Sequence, residues 1–90
     1  MISKTRPAFW RRYARLSPEM RARATEAYRL FASNPSHPSH PSLRFKKLES
    51  AESMWSVRVS DQYRAVGVRQ GNVIGWLWIG THNEFDKEFA

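Results

Sequence analysis

Three side chains in the C-terminal half of this 90-residue chain carry most of the chemistry its sequence offers: Arg58, Arg64 and His82, with Glu84 and Asp86 close behind the histidine. A guanidinium presents parallel N–H donors that match the oxygens of a phosphate. An imidazole gives or takes a proton near neutrality. A carboxylate a few residues away can orient that imidazole or serve as a partner base. Together these groups suit binding of a phosphate and movement of a proton beside it. On residue types alone, two solvent-facing arginines and a surface or helix-capping histidine remain open as the plainer alternative.

Other candidates are weaker. Lys46 and Lys47 can reach a phosphate from a sheet edge, although edge lysines also serve to block aggregation. Glu49 and Glu52 lie in an expected loop, where either becomes a base if the fold sets it beside a substrate hydroxyl, and where solvated acids are commonplace. His37 and His40 have a spacing compatible with metal binding, but each is flanked by proline and no third ligand is near, so no metal site is expected. The chain has no cysteine, which removes disulfides, thiolate nucleophiles and Cys-based zinc sites together.

The elements that must position these groups follow from hydropathy spacing. Trp55, Val57 and Val59 alternate with Ser56, Arg58 and Ser60, the period of a half-buried strand. A polar step at residues 60–62 leads into a second strand over residues 63–69. Gly71-Asn72 then supplies a turn whose first residue tolerates positive φ. Residues 73–79 are apolar on both alternations, which predicts a central strand covered on both faces. A three-residue turn at 60–62 sets Arg58 directly opposite Arg64, where like charges repel; a two-residue turn at Asp61-Gln62 sends them to opposite faces.

Upstream, Thr5 is expected to cap a first helix, with Pro7 in its first turn and Phe9, Tyr13 and Leu16 on one face. Ser17-Pro18-Glu19 reads as a second helix start, followed by the apolar stripe Met20, Ala24, Ala27 and Phe31. Three prolines make residues 34–42 a loop, and an imperfect alternation over residues 43–48 predicts a further strand. The expected fold is α+β: an N-terminal helical hairpin on one face of an antiparallel sheet of about four strands, with a short C-terminal tail or helix, in a single domain spanning residues 1–90.

Charge narrows the partners. Residues 1–47 carry eleven Lys or Arg against two Glu, a net of +9, and residues 48–90 carry four against six, a net of −2. A basic half of this kind attracts polyanions or an acidic protein segment, unless it is simply a solvated face. No stretch approaches the ~20 apolar residues of a membrane span, and the N-terminus lacks the apolar region of a secretory signal, so the expected location is the cytoplasm.

The order of two helices, the segment HPSLRFKKLE, the strand MWSVRVS, the step QYRAVGVR, the strand VIGWLWIG and the close GTHNEFD resembles the RelE/ParE superfamily of toxins from type II toxin-antitoxin systems. The resemblance covers nearly the whole chain. It implies a strongly twisted antiparallel sheet and one of two activities. In the RelE-like branch, members cleave messenger RNA, usually in the ribosomal A site; in the ParE-like branch, they inhibit DNA gyrase. Carried onto this sequence, Arg58, Arg64 and His82 match the family's basic and proton-transferring positions. Phe85 lies near a C-terminal aromatic but lacks a Tyr hydroxyl, so it can contribute only stacking or packing. Ser56 stands where some ribosome-dependent members have a second lysine.

The resemblance therefore implies a toxin that acts as a metal- and cofactor-independent mRNA endonuclease associated with the ribosome, with Lys46, Lys47 and Phe85 touching RNA. Attack by the substrate's own 2′-hydroxyl needs a base, an acid and positive charge on the phosphate, which these residues can supply. The alternative is a gyrase-inhibiting toxin or a degenerate homologue that only binds its antitoxin. In either case the implied partner is an acidic antitoxin protein; messenger RNA and ribosomal RNA, or gyrase, are the implied targets.

Overall fold

The structure is a computed structural model that describes residues 2–32, 43–49 and 53–89. In chain order the elements are β1 (Ile2–Thr5), α1 (Pro7–Tyr13), α2 (Pro18–Ala32), β2 (Lys46–Lys47), β3 (Met54–Ser60), β4 (Tyr63–Gln70), β5 (Val73–Thr81) and α3 (His82–Phe89). The fold is α+β, as the sequence implied, but the sheet has five strands in the order β1-β5-β4-β3-β2. The pairs among β2, β3, β4 and β5 are antiparallel, whereas β1 runs parallel to β5.

β1 is the first correction. Thr5 pairs with Trp76 at the end of this strand and does not cap α1. Arg6, in an extended conformation, occupies the cap position without a side-chain bond, and Pro7 begins the helix, where its missing N–H has no intrahelical partner to lose. The Thr5 hydroxyl instead accepts a hydrogen bond from Trp10 Nε1 at 2.9 Å. Four residues before a proline carry too short a pattern to announce a strand; their pairing with β5 is what makes them one. The expected strand over 43–48 likewise contracts to Lys46–Lys47.

α2 starts as its sequence requires. Ser17 Oγ accepts the Met20 N–H at 3.1 Å, and Glu19 sits in the first turn near the positive helix end. Ala27 and Phe31 are buried from α2, while Phe9, Tyr13 and Leu16 pack against the same cluster. That cluster, with Leu43, Val57, Ala65, Ile74, Trp76 and Ile79, fills the space between the helical hairpin and one face of the sheet.

The other face carries a smaller cluster of Leu48, Val66 and Trp78, packed by Phe85 and Phe89 of α3. The helices are therefore not confined to one face. What lets β5 serve both is a register shift: Gly67 pairs with Trp76, but Val66 pairs with Trp78, so Leu77 is an extra residue. In an unbroken strand, Trp76 and Trp78 would share a face. The bulge at Leu77 sends them to opposite clusters and explains why this stretch is apolar on both alternations.

Gly67 is required by close approach. A Cβ there would meet Ile74 Cγ1 at 2.8 Å, Trp76 Cε3 at 2.9 Å and the Gly75 carbonyl oxygen at 3.1 Å. Gly67→Ala is therefore expected to cost about 1–3 kcal/mol through overpacking, read as a lowered urea midpoint. An unchanged midpoint would contradict this packing.

Candidate functional site

The site is built around the β3–β4 turn. Asp61-Gln62 is a two-residue turn, which by simple alternation would separate the two arginines, yet Arg58 pairs directly with Arg64. The register shifts between Arg58 and Ser60, so Val59 is an extra residue that restores the pairing. By alternation both arginines leave their strands on the face opposite Val57 and Ala65, which pack in the hairpin cluster, while Arg58, at the sheet edge, also borders a cavity with Arg23, Glu26 and Leu30 of α2.

Two like charges in register repel, and the turn supplies what holds them. Arg64 Nη1 donates to the carbonyl oxygens of Ser60 at 2.7 Å, Tyr63 at 3.0 Å and Asp61 at 3.4 Å. All three bonds use one nitrogen, leaving Nε and Nη2 to meet an anion. Arg58 Nη2 is paired with the Asp61 carboxylate. Partial burial is the largest influence lowering the Arg64 pKa, followed by the charges of Arg58 and Arg44; Asp61 and Asp86 act in the opposite direction. Arg64 thus stands beside two other arginines and two acids, and it stays charged at any physiological pH.

His82 enters from the end of β5. Tyr63 pairs with Thr81, and the His82 N–H donates to the Gln62 carbonyl at 2.6 Å, so the same turn pins the start of α3. His82 Nδ1 lies 3.1 Å from Asp86 Oδ2, one helical turn away. With Nδ1 engaged, Nε2 is the ring nitrogen presented outward from a side chain that is 43% exposed.

Of the two acids weighed as partners for the imidazole, Asp86 holds it and Glu84 does not. Glu84 Oε1 accepts the Thr81 N–H at 2.9 Å while Thr81 Oγ1 accepts the Glu84 N–H at 3.1 Å, a reciprocal capping box that starts α3. The Glu84 pKa is lowered, first by that backbone hydrogen bond. Its other oxygen lies 3.4 Å from Arg12 Nη2.

The remaining expected contacts divide. Lys46 pairs with Ser56, so it shares the face of Arg58; Lys47 pairs with Trp55, whose ring packs with the hairpin cluster, and is turned away from the site. Phe85 lies between Trp78 and His82, with its ring centroid 6.3 Å from each of theirs. Ser56 is 2% exposed, which shows why no long cation occupies that place here. Glu49 is exposed, and His37, His40 and Glu52 lie outside the described residues. Among the described residues, no three His, Asp or Glu side chains are grouped as metal ligands.

Three residues escaped the sequence reading. Arg44 has a φ of 46°, a strained conformation for a side chain other than glycine, and contributes positive charge at Arg64. Asp61 pairs with Arg58, and its place three residues from each arginine was the signal that could have found it. Arg12 had no signal: it donates from Nε to the Ile79 carbonyl at 2.7 Å and lies 4.7 Å over the Trp78 ring, contacts made across 67 residues of chain. Separately, an open apolar groove of about 420 Å³ lies on the hairpin side, lined by Phe9, Trp10, Tyr13, Tyr28, Phe31 and Trp76 among others.

A helical hairpin over a five-stranded mixed sheet is an α+β fold like that of the RelE toxins. A chain of the RelB-RelE antitoxin-toxin complex from Methanococcus jannaschii superposes with a TM-score of 0.75 at 14% identity, covering 97% of this chain and 99% of that one. The YoeB/ParE toxin from Agrobacterium tumefaciens gives 0.67 at 17%, covering 91% and 99%, and the YoeB dimer from Staphylococcus aureus gives 0.67 at 17%, covering 91% and 97%. No curated protein sequence matches significantly. The ParE-like toxin domain family matches residues 18–87, and this chain belongs to that family.

The capping box makes a prediction of its own. Glu84→Ala is expected to lower stability by about 1 kcal/mol at neutral pH, kept small by solvent exposure. Because the folded state holds the Glu84 pKa below its ordinary 4.5, this contribution is present above that value and lost as pH falls through the folded one. Denaturation midpoints of the two proteins should therefore converge in acid; a gap that persists at low pH would refute the assignment.

Proposed function

We propose that this toxin cleaves messenger RNA, in association with the ribosome, by activating the substrate's own 2′-hydroxyl. The observation that carries the reading is the pairing of His82 Nδ1 with Asp86, beside a hairpin turn that fastens Arg58 and Arg64 on one face. His82 Nε2 takes the 2′-hydroxyl proton, with Asp86 orienting the ring and stabilising the imidazolium. The 2′ oxygen attacks phosphorus, the bond to the 5′ oxygen breaks, and that oxygen takes a proton from water at the open site, while the imidazolium returns its proton to the hydroxide so formed and restores the neutral ring. The products are a 2′,3′-cyclic phosphate and a 5′-hydroxyl end. Arg64 and Arg58 meet the charge that grows on the phosphate oxygens.

A gyrase-binding reading is favoured by one observation, the ParE-like character of the matching family. The two separate cleanly. Arg64→Ala should reduce cleavage about 10²–10³-fold and His82→Ala about 10²–10⁴-fold, with loss of growth arrest and retention of the fold. Brief expression followed by mapping of transcript 5′ ends should show in-frame cuts bearing 5′-hydroxyl groups. Undiminished arrest by both folded variants, with stalled replication and intact transcripts, would establish the gyrase reading.

The partner is an acidic antitoxin, acting with this toxin in the cytoplasm, and it docks in the apolar groove on the hairpin side. Trp10 and Tyr28, 50% and 48% exposed, line that groove, and the helices that flank it, with the turn between them, carry Arg11, Arg15, Arg21, Arg23 and Arg29. An amphipathic segment with aromatic or aliphatic anchors and acidic flanks complements it. Tyr28→Ala should weaken binding of the product of an adjacent reading frame at least tenfold, measured by calorimetry. Equal affinity of the variant would move the interface elsewhere.

A further inference from the structure

We propose that Asp61 is an internal anion that occupies the arginine site of the unliganded toxin, and that a phosphate of RNA must displace it. This inference rests on the nuclease reading of the site and concerns its regulation. Asp61 pairs with Arg58, the residue that stands in register with Arg64. Its own carbonyl also lies 3.4 Å from Arg64 Nη1, so one residue engages both arginines through different groups. The carboxylate is 78% exposed at its side chain whereas Arg58 is only 28% exposed. The acid therefore sits on the outer, approachable side of a cation that the fold partly encloses.

The sheet explains why an anion belongs there. The extra residue at Val59 forces Arg58 and Arg64 into register, with Arg44 adding charge nearby. Without a counter-charge the hairpin end would carry three mutually repelling guanidinium groups. Asp61 is placed by the two-residue turn itself, three residues from each arginine, so it relieves that repulsion without any distant element. A phosphate diester brings a comparable charge and additional acceptor oxygens in a geometry that a guanidinium matches. Exchange of a carboxylate for a phosphate thus leaves the arginines neutralised in both states. Asp61 lowers the affinity of RNA while protecting the fold of the free toxin.

The test measures binding of a short 2′-O-methyl oligoribonucleotide, which lacks the attacking hydroxyl, to the full chain by fluorescence anisotropy. Asp61→Asn should tighten binding about twofold to fivefold, the range set by one partly exposed ion pair. Asp61→Glu keeps the charge and should change it less than twofold. Glu49→Gln removes the same charge beside the start of β3, at the other end of that strand from the turn, and should also change it less than twofold, which separates a local competitor from a general rise in net charge. Unchanged or weaker binding by Asp61→Asn, or equal tightening by Glu49→Gln, overturns the proposal. If Arg64→Ala abolishes binding while Asp61→Asn leaves it unaltered, the inference fails and the nuclease reading stands. If no variant, nor the natural chain, binds the oligonucleotide, both fail.

Discussion

Two single-residue register shifts determine what this small sheet can do. Val59 in β3 and Leu77 in β5 are each one residue more than their neighbouring strand accommodates. Because side chains alternate with period two, an extra residue moves everything beyond it to the other face. At Leu77 the effect is structural: Trp76 remains in the hairpin cluster while Trp78 passes to the opposite face and becomes the seat of α3. At Val59 the effect is electrostatic, since it places Arg58 in register with Arg64 across a two-residue turn. Remove either extra residue and the helix carrying His82, or the arginine pair, loses its place.

The second constraint is how the chain tolerates the charge so gathered. Arg64 is held by main-chain carbonyls of its own turn, Arg58 by a carboxylate of that turn, and His82 by a carboxylate one helical turn away. None of these contacts reaches far along the chain. The arginine contacts and the histidine contact arise separately and are joined by one main-chain hydrogen bond, from the His82 N–H to the Gln62 carbonyl. The corner is therefore a local product of hairpin geometry and depends on the hydrophobic clusters only for the position of β4 and β5.

This locality explains what could be read in the sequence. The strand periods at residues 55–60, 63–69 and 73–79, the Ser17 cap and the apolar face Phe9, Tyr13 and Leu16 depend on neighbours within a few residues, and they were legible. β1 was not, because four residues before a proline become a strand only through β5. Register was legible only as a choice. Turn length alone would have separated Arg58 from Arg64, and no residue type marks Val59 as extra. Glu84 and Asp86 looked interchangeable behind His82, yet Thr81-His82-Asn83-Glu84 has the spacing of a capping box, which committed Glu84 to the helix start and left Asp86 for the ring. Arg12, joined to β5 and α3 across most of the chain, carried no local mark at all.

A site built this way is held before any substrate arrives. An arginine on a flexible stem loses side-chain entropy when it grips a phosphate, and a histidine free to rotate must be oriented before it can accept a proton in the right direction. Here the hairpin turn holds Arg64 by one nitrogen, Nη1, and Asp86 holds His82 by Nδ1, so neither group is engaged through all of its nitrogens. The ordering cost is met when the chain folds, by bonds that folding makes in any event. What remains for substrate binding is exchange of small counter-groups at an exposed corner. That is sufficient for a small domain whose buried volume is already committed to two aromatic clusters on opposite sides of one sheet.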